Sequence, residues 1–226
     1  MKLVLFDCDG TLIDSVGVIH SCMEKTFQEA GFPAPEMTHT KSIVGLTLDV
    51  AISQMLGRAV DRQIHDMVAR YKHHSFTMRA CETVEEPFFE GVETLLEVLA
   101  GEDEILLGIV TGKSRRGLNA LMDKHDFGRT VVTSRTADEC PSKPHPAMVL
   151  ECCDEAGVDP AQTVVVGDAI YDMQMARSSG AMAIGVSWGY STAAALEDAG
   201  AHHVVHHPHA VLPLIAVESG KDVSHA

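Results

Sequence analysis

Asp7 and Asp9 stand two residues apart, directly after the apolar run Leu3-Val4-Leu5-Phe6 near the start of a 226-residue chain. In an extended backbone alternate side chains share a side, so both carboxylates can reach into one site. Two carboxylates so placed repel each other unless a cation or a shared proton relieves them, and a metal ion is the simplest relief. Gly10, next in line, lets the backbone turn or approach a ligand closely. Farther on, Thr111-Gly112-Lys113-Ser114 follows a second apolar run, 105–110, and opens a helical pattern. Backbone N–H groups and the helix dipole favour an anion there. It is not a P-loop, because Leu107 stands where that motif needs its first glycine. Lys143 precedes Pro144, which drives it into extended backbone and holds it out of the helix that follows. Asp168 and Asp172 close the series, four residues apart after the apolar run 164–166 and Gly167. Taken singly, these features have plain alternatives: a capped turn, a surface lysine, an N-capping Asp168 with Asp172 on the next helical turn.

The elements that must position these residues are legible from periodicity. A short strand precedes Asp7. From Val16 the pattern turns helical, with Ile19, Met23, Phe27 and Ala30 in register and Gly31 ending the run. Pro33 and Pro35 form a break. Further helices are expected over 47–57 and 61–79, and nothing from 15 to 86 reads as a strand. Beyond Pro87 a helix over 93–100 leads into alternating elements. Strands are expected at 105–110, 130–133, 163–166, 181–186 and 202–205, with helices at 114–124, 144–156, 170–179 and 192–199. Continuous apolar strands alternating with helices indicate a doubly wound parallel sheet covered on both faces, an α/β core interrupted by a helical insertion. Such sheets place their sites at the carboxyl ends of strands. The division that follows is 1–14 with 87–226 as core and 15–86 as an all-helical cap.

A formal net charge of −15 argues against nucleic acid or anionic membrane as partner, since both require basic surface. Six cysteines, Cys8, Cys22, Cys81, Cys140, Cys152 and Cys153, form no C-x-x-C pair, so neither a disulfide framework nor a zinc site is expected, and free thiols point to a reducing cytoplasm. The four apolar residues before Asp7 are too few for a signal peptide, and no run approaches the ~18 residues of a membrane span. Arg115 and Arg116, at a helix start, are expected to be solvated. So are the histidines of 202–209, which alternation splits between the faces of an edge strand. Trp188-Gly189-Tyr190 is expected to be structural.

The stretch Phe6-Asp7-Cys8-Asp9-Gly10-Thr11-Leu12-Ile13-Asp14-Ser15 resembles motif I of the haloacid dehalogenase (HAD) superfamily, D-x-D-G-T-L-x-D-S. Thr111-Gly112, Lys143 and the Gly167-Asp168 to Asp172 turn resemble its motifs II, III and IV, in order, and the likeness to cap-bearing, phosphoglycolate phosphatase-like members extends over the whole chain. The resemblance implies a Rossmann-like core and a Mg2+-dependent phosphatase acting on a small phosphorylated metabolite through an aspartyl-phosphate. Asp7 would be the nucleophile and Asp9 the general acid and base. Mg2+ would be held by the Asp7 carboxylate, the Asp9 backbone carbonyl and Asp168. Thr111, Gly112 and Lys143 would hold the phosphoryl group, with Asp172 orienting Lys143 or a metal-bound water. Lys113 is expected to face solvent, and the pKa of Asp9 to be raised by its carboxylate neighbour. Ala169 departs from relatives that carry Ser or Thr there. Gly45, in Ile43-Val44-Gly45-Leu46, falls where related enzymes carry a specificity loop and reads either as a substrate contact or as a helix break. A monomer or weak homodimer is expected. The alternatives are a β-phosphoglucomutase-like phosphomutase, which would want a histidine where Ile19 stands with His20 one position off, and a non-catalytic phosphometabolite-binding protein.

Overall fold

The computed structural model describes residues 1–80 and 84–215. Strand β1 (Lys2–Phe6) is followed by helices α1 (Val16–Glu29), α2 (Met37–Ile43), α3 (Leu48–Leu56), α4 (Arg62–Arg79) and α5 (Val92–Ala100). Strands and helices then alternate: β2 (Ile105–Val110), α6 (Arg115–His125), β3 (Val131–Arg135), α7 (Ala147–Ala156), β4 (Thr163–Gly167), α8 (Ile170–Ser179), β5 (Met182–Val186), α9 (Ala193–Asp198) and β6 (His203–Val205), with a short α10 (Leu212–Ile215) closing the described chain. The six strands form one sheet, ordered β3-β2-β1-β4-β5-β6, with every pairing parallel.

The period of two in the first strand decides the layers. Val4 and Phe6 enter one buried cluster with the α5 residues Leu95 and Leu99, while Leu3 and Leu5 enter another, on the opposite face, with Met148, Cys152 and Met173. Burial on both faces is why β1 and β4 read as unbroken apolar runs. The chain runs outward from β1 in both directions, so β1 is the point where strand order reverses, and the crevice at its carboxyl end opens between β1 and its neighbours.

Helices α1 to α4 have a core of their own, in which Met23 and Phe27 of α1 meet Ile64, Met67 and Tyr71 of α4, with Ile52 of α3 beside them. Helix α5 packs instead on the sheet. The two chain connections to this helical insertion run side by side: the Asp14 N–H donates to Pro87 O at 2.9 Å and the Phe89 N–H to Leu12 O at 3.0 Å. Helix α2 occupies part of the stretch between the Pro33-Pro35 break and residue 47, where periodicity gave no helix; seven residues are too few for an apolar stripe to repeat. The helix expected from 144 begins only at Ala147, because Pro144 and Pro146 hold the preceding turn open.

No helix among the described residues is long and apolar enough to cross a membrane. Cys8, Cys22, Cys140, Cys152 and Cys153 are buried free thiols, and Cys81 lies outside the described residues.

Candidate active site

The singled-out residues meet at the carboxyl ends of the three central strands. Asp7 leaves β1, its N–H donating to Val166 O of β4 at 3.0 Å; Thr111 leaves β2, its N–H donating to Arg135 O of β3 at 3.0 Å; Asp168 leaves β4. Lys143 comes from the β3 to α7 connection and, though a lysine, is only 1% exposed. Its Nζ lies 2.8 Å from Asp7 Oδ1 and 2.6 Å from Asp172 Oδ1. Asp172 turns its other oxygen to the Ala169 N–H at 3.0 Å, which closes the first turn of α8 and fixes the carboxylate that holds the lysine. Burial alone would lower the Lys143 pKa, but Asp172 and Asp7 more than offset it, so the ammonium persists at any ordinary pH.

Asp168 accepts from the Thr11 hydroxyl at 3.1 Å and from the Tyr190 N–H at 2.9 Å. Gly10 makes this approach possible. Its φ of +89° is one that L side chains rarely adopt, and a Cβ there would stand 2.2 Å from Asp168 Oδ2. Gly189 crowds in from the other side, where a Cβ would meet Gly10 O at 2.3 Å. The Trp188-Gly189-Tyr190 stretch is thus structural in a specific sense: it braces the acid turn. Trp188 Nε1 donates to Thr11 O at 3.0 Å, and the Tyr190 hydroxyl accepts from the N–H groups of Ser15 and Val16, tying the start of α1 to the sheet. Its place after a strand end was the signal that could have marked it for the site.

Asp9 corrects two expectations. Its carboxylate lies outside the Asp7, Asp168 and Asp172 cluster. It pairs with Lys113, Nζ to Oδ1 2.6 Å, and accepts from the Ser15 hydroxyl at the same oxygen. Lys113 is therefore not solvent-facing; its side chain is largely buried, drawn in by a carboxylate that no periodicity rule could place beside it. Nor is the Asp9 pKa raised. Burial pushes it up, but the Lys113 charge and hydrogen bond and the Ser15 hydroxyl bring it below the usual carboxylate range. Asp9 thus has a lysine to itself, whereas Lys143 is shared between Asp7 and Asp172.

Asp7 is the residue left needing a partner. It is 1% exposed, its Oδ2 has no hydrogen-bond donor, and Oδ1 meets the Lys143 ammonium without an aligned hydrogen bond. Burial lifts its pKa, Lys143 lowers it and Asp172 raises it again, leaving the group at about 7. Asp168 is pushed well above the carboxylate range by burial and by Asp7 and Asp172. Ligand oxygens of Asp7, Asp168 and Asp172 lie within 4.8 Å of one another, all buried. An orphaned carboxylate oxygen beside two more acids is a donor set that suits a hard divalent cation, which prefers oxygen and would restore the ionised forms.

Beyond Ser15, the insertion also reaches this site through its 43–47 loop. Gly45, with φ +96°, and Leu46 set their carbonyl oxygens over Gly112, where a Cβ would meet each at 2.7 Å. Gly45 also faces Ala169, whose Cβ would stand 3.5 Å from a Cβ at position 45, so the missing hydroxyl at 169 leaves room for this loop. The Thr47 N–H donates to Ser142 Oγ at 3.0 Å, one residue from Lys143. Ile19, and not His20, lines the cavity beneath; His20 bonds Thr40 Oγ1 at 2.8 Å. Arg115 is committed to Glu139 and Ser134, but Arg116 lines the cavity, as does Arg79, which sequence reading passed over. Of the histidine tract, His202, His203, His206, His207 and His209 are exposed.

Comparison with known proteins fits this geometry. The family model of haloacid dehalogenase-like hydrolases matches residues 4–186. The chain is 30% identical to the probable phosphatase IndB of Dickeya dadantii, over 84% of this chain and 83% of that protein. It is 30% identical to a phosphoglycolate phosphatase of Pseudomonas putida, over 84% and 71%, and 25% identical to an N-acetylmuramic acid 6-phosphate phosphatase of Pseudomonas aeruginosa, over 84% and 83%. A solved haloacid dehalogenase-like family hydrolase of Streptococcus pneumoniae shares the fold with a TM-score of 0.80 at 24% identity, covering 96% of this chain and 99% of that one. A match across four-fifths of the chain, with the acids, the threonine and the lysine gathered at one crevice, makes it a member of the haloacid dehalogenase-like hydrolases.

Proposed function

We propose that the enzyme is a Mg2+-dependent phosphatase that hydrolyses a small phosphate monoester through an aspartyl-phosphate on Asp7. The observation that carries this is the Asp7 carboxylate itself, buried at the end of β1 with an oxygen that nothing in the protein satisfies, beside a lysine fixed by a second acid. A divalent cation held by Asp7, Asp168 and the Asp9 carbonyl would supply charge neutralisation for the approaching phosphate dianion. Lys143 supplies the protein's own share, with the Thr111 hydroxyl and the Gly112 N–H receiving the phosphoryl oxygens. Asp7 then displaces the alcohol, forming the acyl phosphate, and water releases phosphate from it. Asp9, held ionised by Lys113 and Ser15, is set as the base for that water. In the first half it must first take a proton from solvent, which the dianion entering beside Lys113 favours by drawing on that ammonium, and it gives this proton to the leaving oxygen.

In this reading residues 15–86 are a cap over a core of 1–14 and 87–226, resting on Gly112 through the 44–47 loop. Gly112→Ala should prop that loop away at a cost of about 1–3 kcal/mol. We expect a rise in KM of roughly 10- to 100-fold, a larger radius of gyration by solution scattering and an unchanged circular dichroism spectrum; unchanged scattering and KM would remove the cap from the reading.

The test of the function is product analysis with Mg2+. Stoichiometric inorganic phosphate from simple esters, with an acid-stable, hydroxylamine-labile phosphoenzyme in quenched samples, is expected. Supplied with β-glucose 1-phosphate, the enzyme should not accumulate glucose 6-phosphate faster than free phosphate; that outcome would make it a mutase. Ile19 in the cavity wall, with His20 turned to Thr40, is why the mutase is disfavoured.

A further inference from the structure

Between the insertion and the sheet lies a cavity of about 760 Å³ that Asp9 lines at one end. Its size falls in the range of roughly 300–1,000 Å³ that encloses ligands of drug-like size, well beyond a two-carbon alcohol. One wall is apolar: Ile19 and Met23 come from α1, and Val68 and Tyr71, three residues apart on one face of α4, stand with Phe76 farther along that helix. Phe76 is 53% exposed at the rim, and the Arg116 guanidinium lies over its ring, Cζ 4.0 Å from the centroid.

The cavity's cations are largely spent on acids already present. Arg79 meets Glu86 through two hydrogen bonds of 2.8 and 2.7 Å and also holds Ser75. Lys113 is paired with Asp9, and Lys72 lies 3.6 Å from Asp138. Among the described lining residues only Arg116 is a lysine or arginine without an acidic partner, and its partner is an aromatic face. A carboxylate entering here would find an apolar wall and, Arg116 apart, cations already paired with acids; an uncharged group with an apolar or aromatic face would bury that face and extend the Phe76–Arg116 stack.

We propose that the ester this site takes has a bulky, uncharged leaving group with an apolar or aromatic face, bound between α1, α4 and α6, and that small carboxylate-bearing esters are poor substrates. The proposal rests on the phosphatase reading and sets it apart from the phosphoglycolate specificity of named relatives.

The experiment compares kcat/KM, with Mg2+ and the full chain, for ethyl phosphate, 3-phenylpropyl phosphate and 2-phosphoglycolate. The first two release alcohols of nearly equal acidity, so intrinsic reactivity does not separate them. Burial of the phenylpropyl group should favour that ester over ethyl phosphate by about 50-fold or more, and 2-phosphoglycolate should fall below it. Phe76→Glu, at an exposed position that spares the fold, should cut the phenylpropyl-to-ethyl ratio by about tenfold. A ratio near one, a ratio indifferent to Phe76→Glu, or a preference for 2-phosphoglycolate, in which Arg116 would be taking a carboxylate, each overturns the proposal. Turnover of none of the three, with p-nitrophenyl phosphate also untouched, overturns the phosphatase reading and the proposal with it; turnover of p-nitrophenyl phosphate with the wrong ratio overturns the proposal alone.

Discussion

Asp7→Asn should give a folded protein that turns over no phosphate ester and forms no phosphoenzyme. The substitution conserves volume at a position that is 1% exposed, so no cavity opens. The amide oxygen can still meet Lys143, and a buried ionisable group is removed from a site that already holds Asp168 and Asp172. Stability should therefore be preserved while the nucleophile is lost. The expected fall in kcat is on the order of 10⁴-fold or more, the scale on which deletion of a nucleophile acts in hydrolases. Steady-state release of phosphate and acid-quenched labelling check it together. Activity within tenfold of wild type would mean that water attacks the ester directly and that Asp7 only holds metal.

Chelation and pH should act together on the acid cluster. Between the unfolded carboxylate pKa of 3.8 and the folded Asp7 value of about 7, the folded protein binds more protons than the unfolded chain. Stability conferred by that group therefore falls as pH rises through this window, by on the order of a few kcal/mol, and Asp168 shifts in the same direction. Asp9, held low, gives stability that is present above pH 3.8 and lost only as pH falls through its folded value, outside the window. His125 and His202 also sit below their ordinary range, chiefly through partial desolvation, and run the opposite way. Comparing wild type with Asp168→Asn in EDTA cancels them. The variant should match wild type near pH 4 and melt higher at pH 8, by about 2–4 °C for each kcal/mol gained. With Mg2+ the order should invert: wild type is stabilised by binding, the variant much less, and the variant's activity should fall by at least about 100-fold. Equal melting temperatures at pH 8 in EDTA, or turnover indifferent to EDTA, would refute the metal assignment.

Much of this was legible in the chain. The strands 105–110 and 163–166 and the helix 170–179 read within a residue of their observed bounds, because a parallel sheet buried on both faces leaves unbroken apolar runs and its crossover helices keep their period. Asp7, Thr111, Lys143 and Asp168 were marked by standing after such runs or beside a proline. Local pattern therefore determined the fold class and the helical insertion; the acids, the threonine and the lysine it offered only as candidates with plain alternatives, and the likeness to the motifs of a known family singled them out.

What the pattern could not determine is which groups face each other. Whether Lys113 points to water or to Asp9 depends on where the end of β2 lies against the end of β1, with Ile109 set beside Phe6 far away in sequence, and that register exists only in the folded sheet. The same holds for the Asp9 pKa, which sequence proximity to Asp7 suggests should rise and which Lys113 and Ser15 lower. Tyr190 and Gly189 brace the acid turn, and Gly45 rests on Gly112, only because strand ends and a helical loop converge on one crevice. The cavity wall is set by packing α1 and α4 over the sheet. Charge pairing and cavity shape depend on distances across the fold, whereas periodicity records only which face of each element is buried.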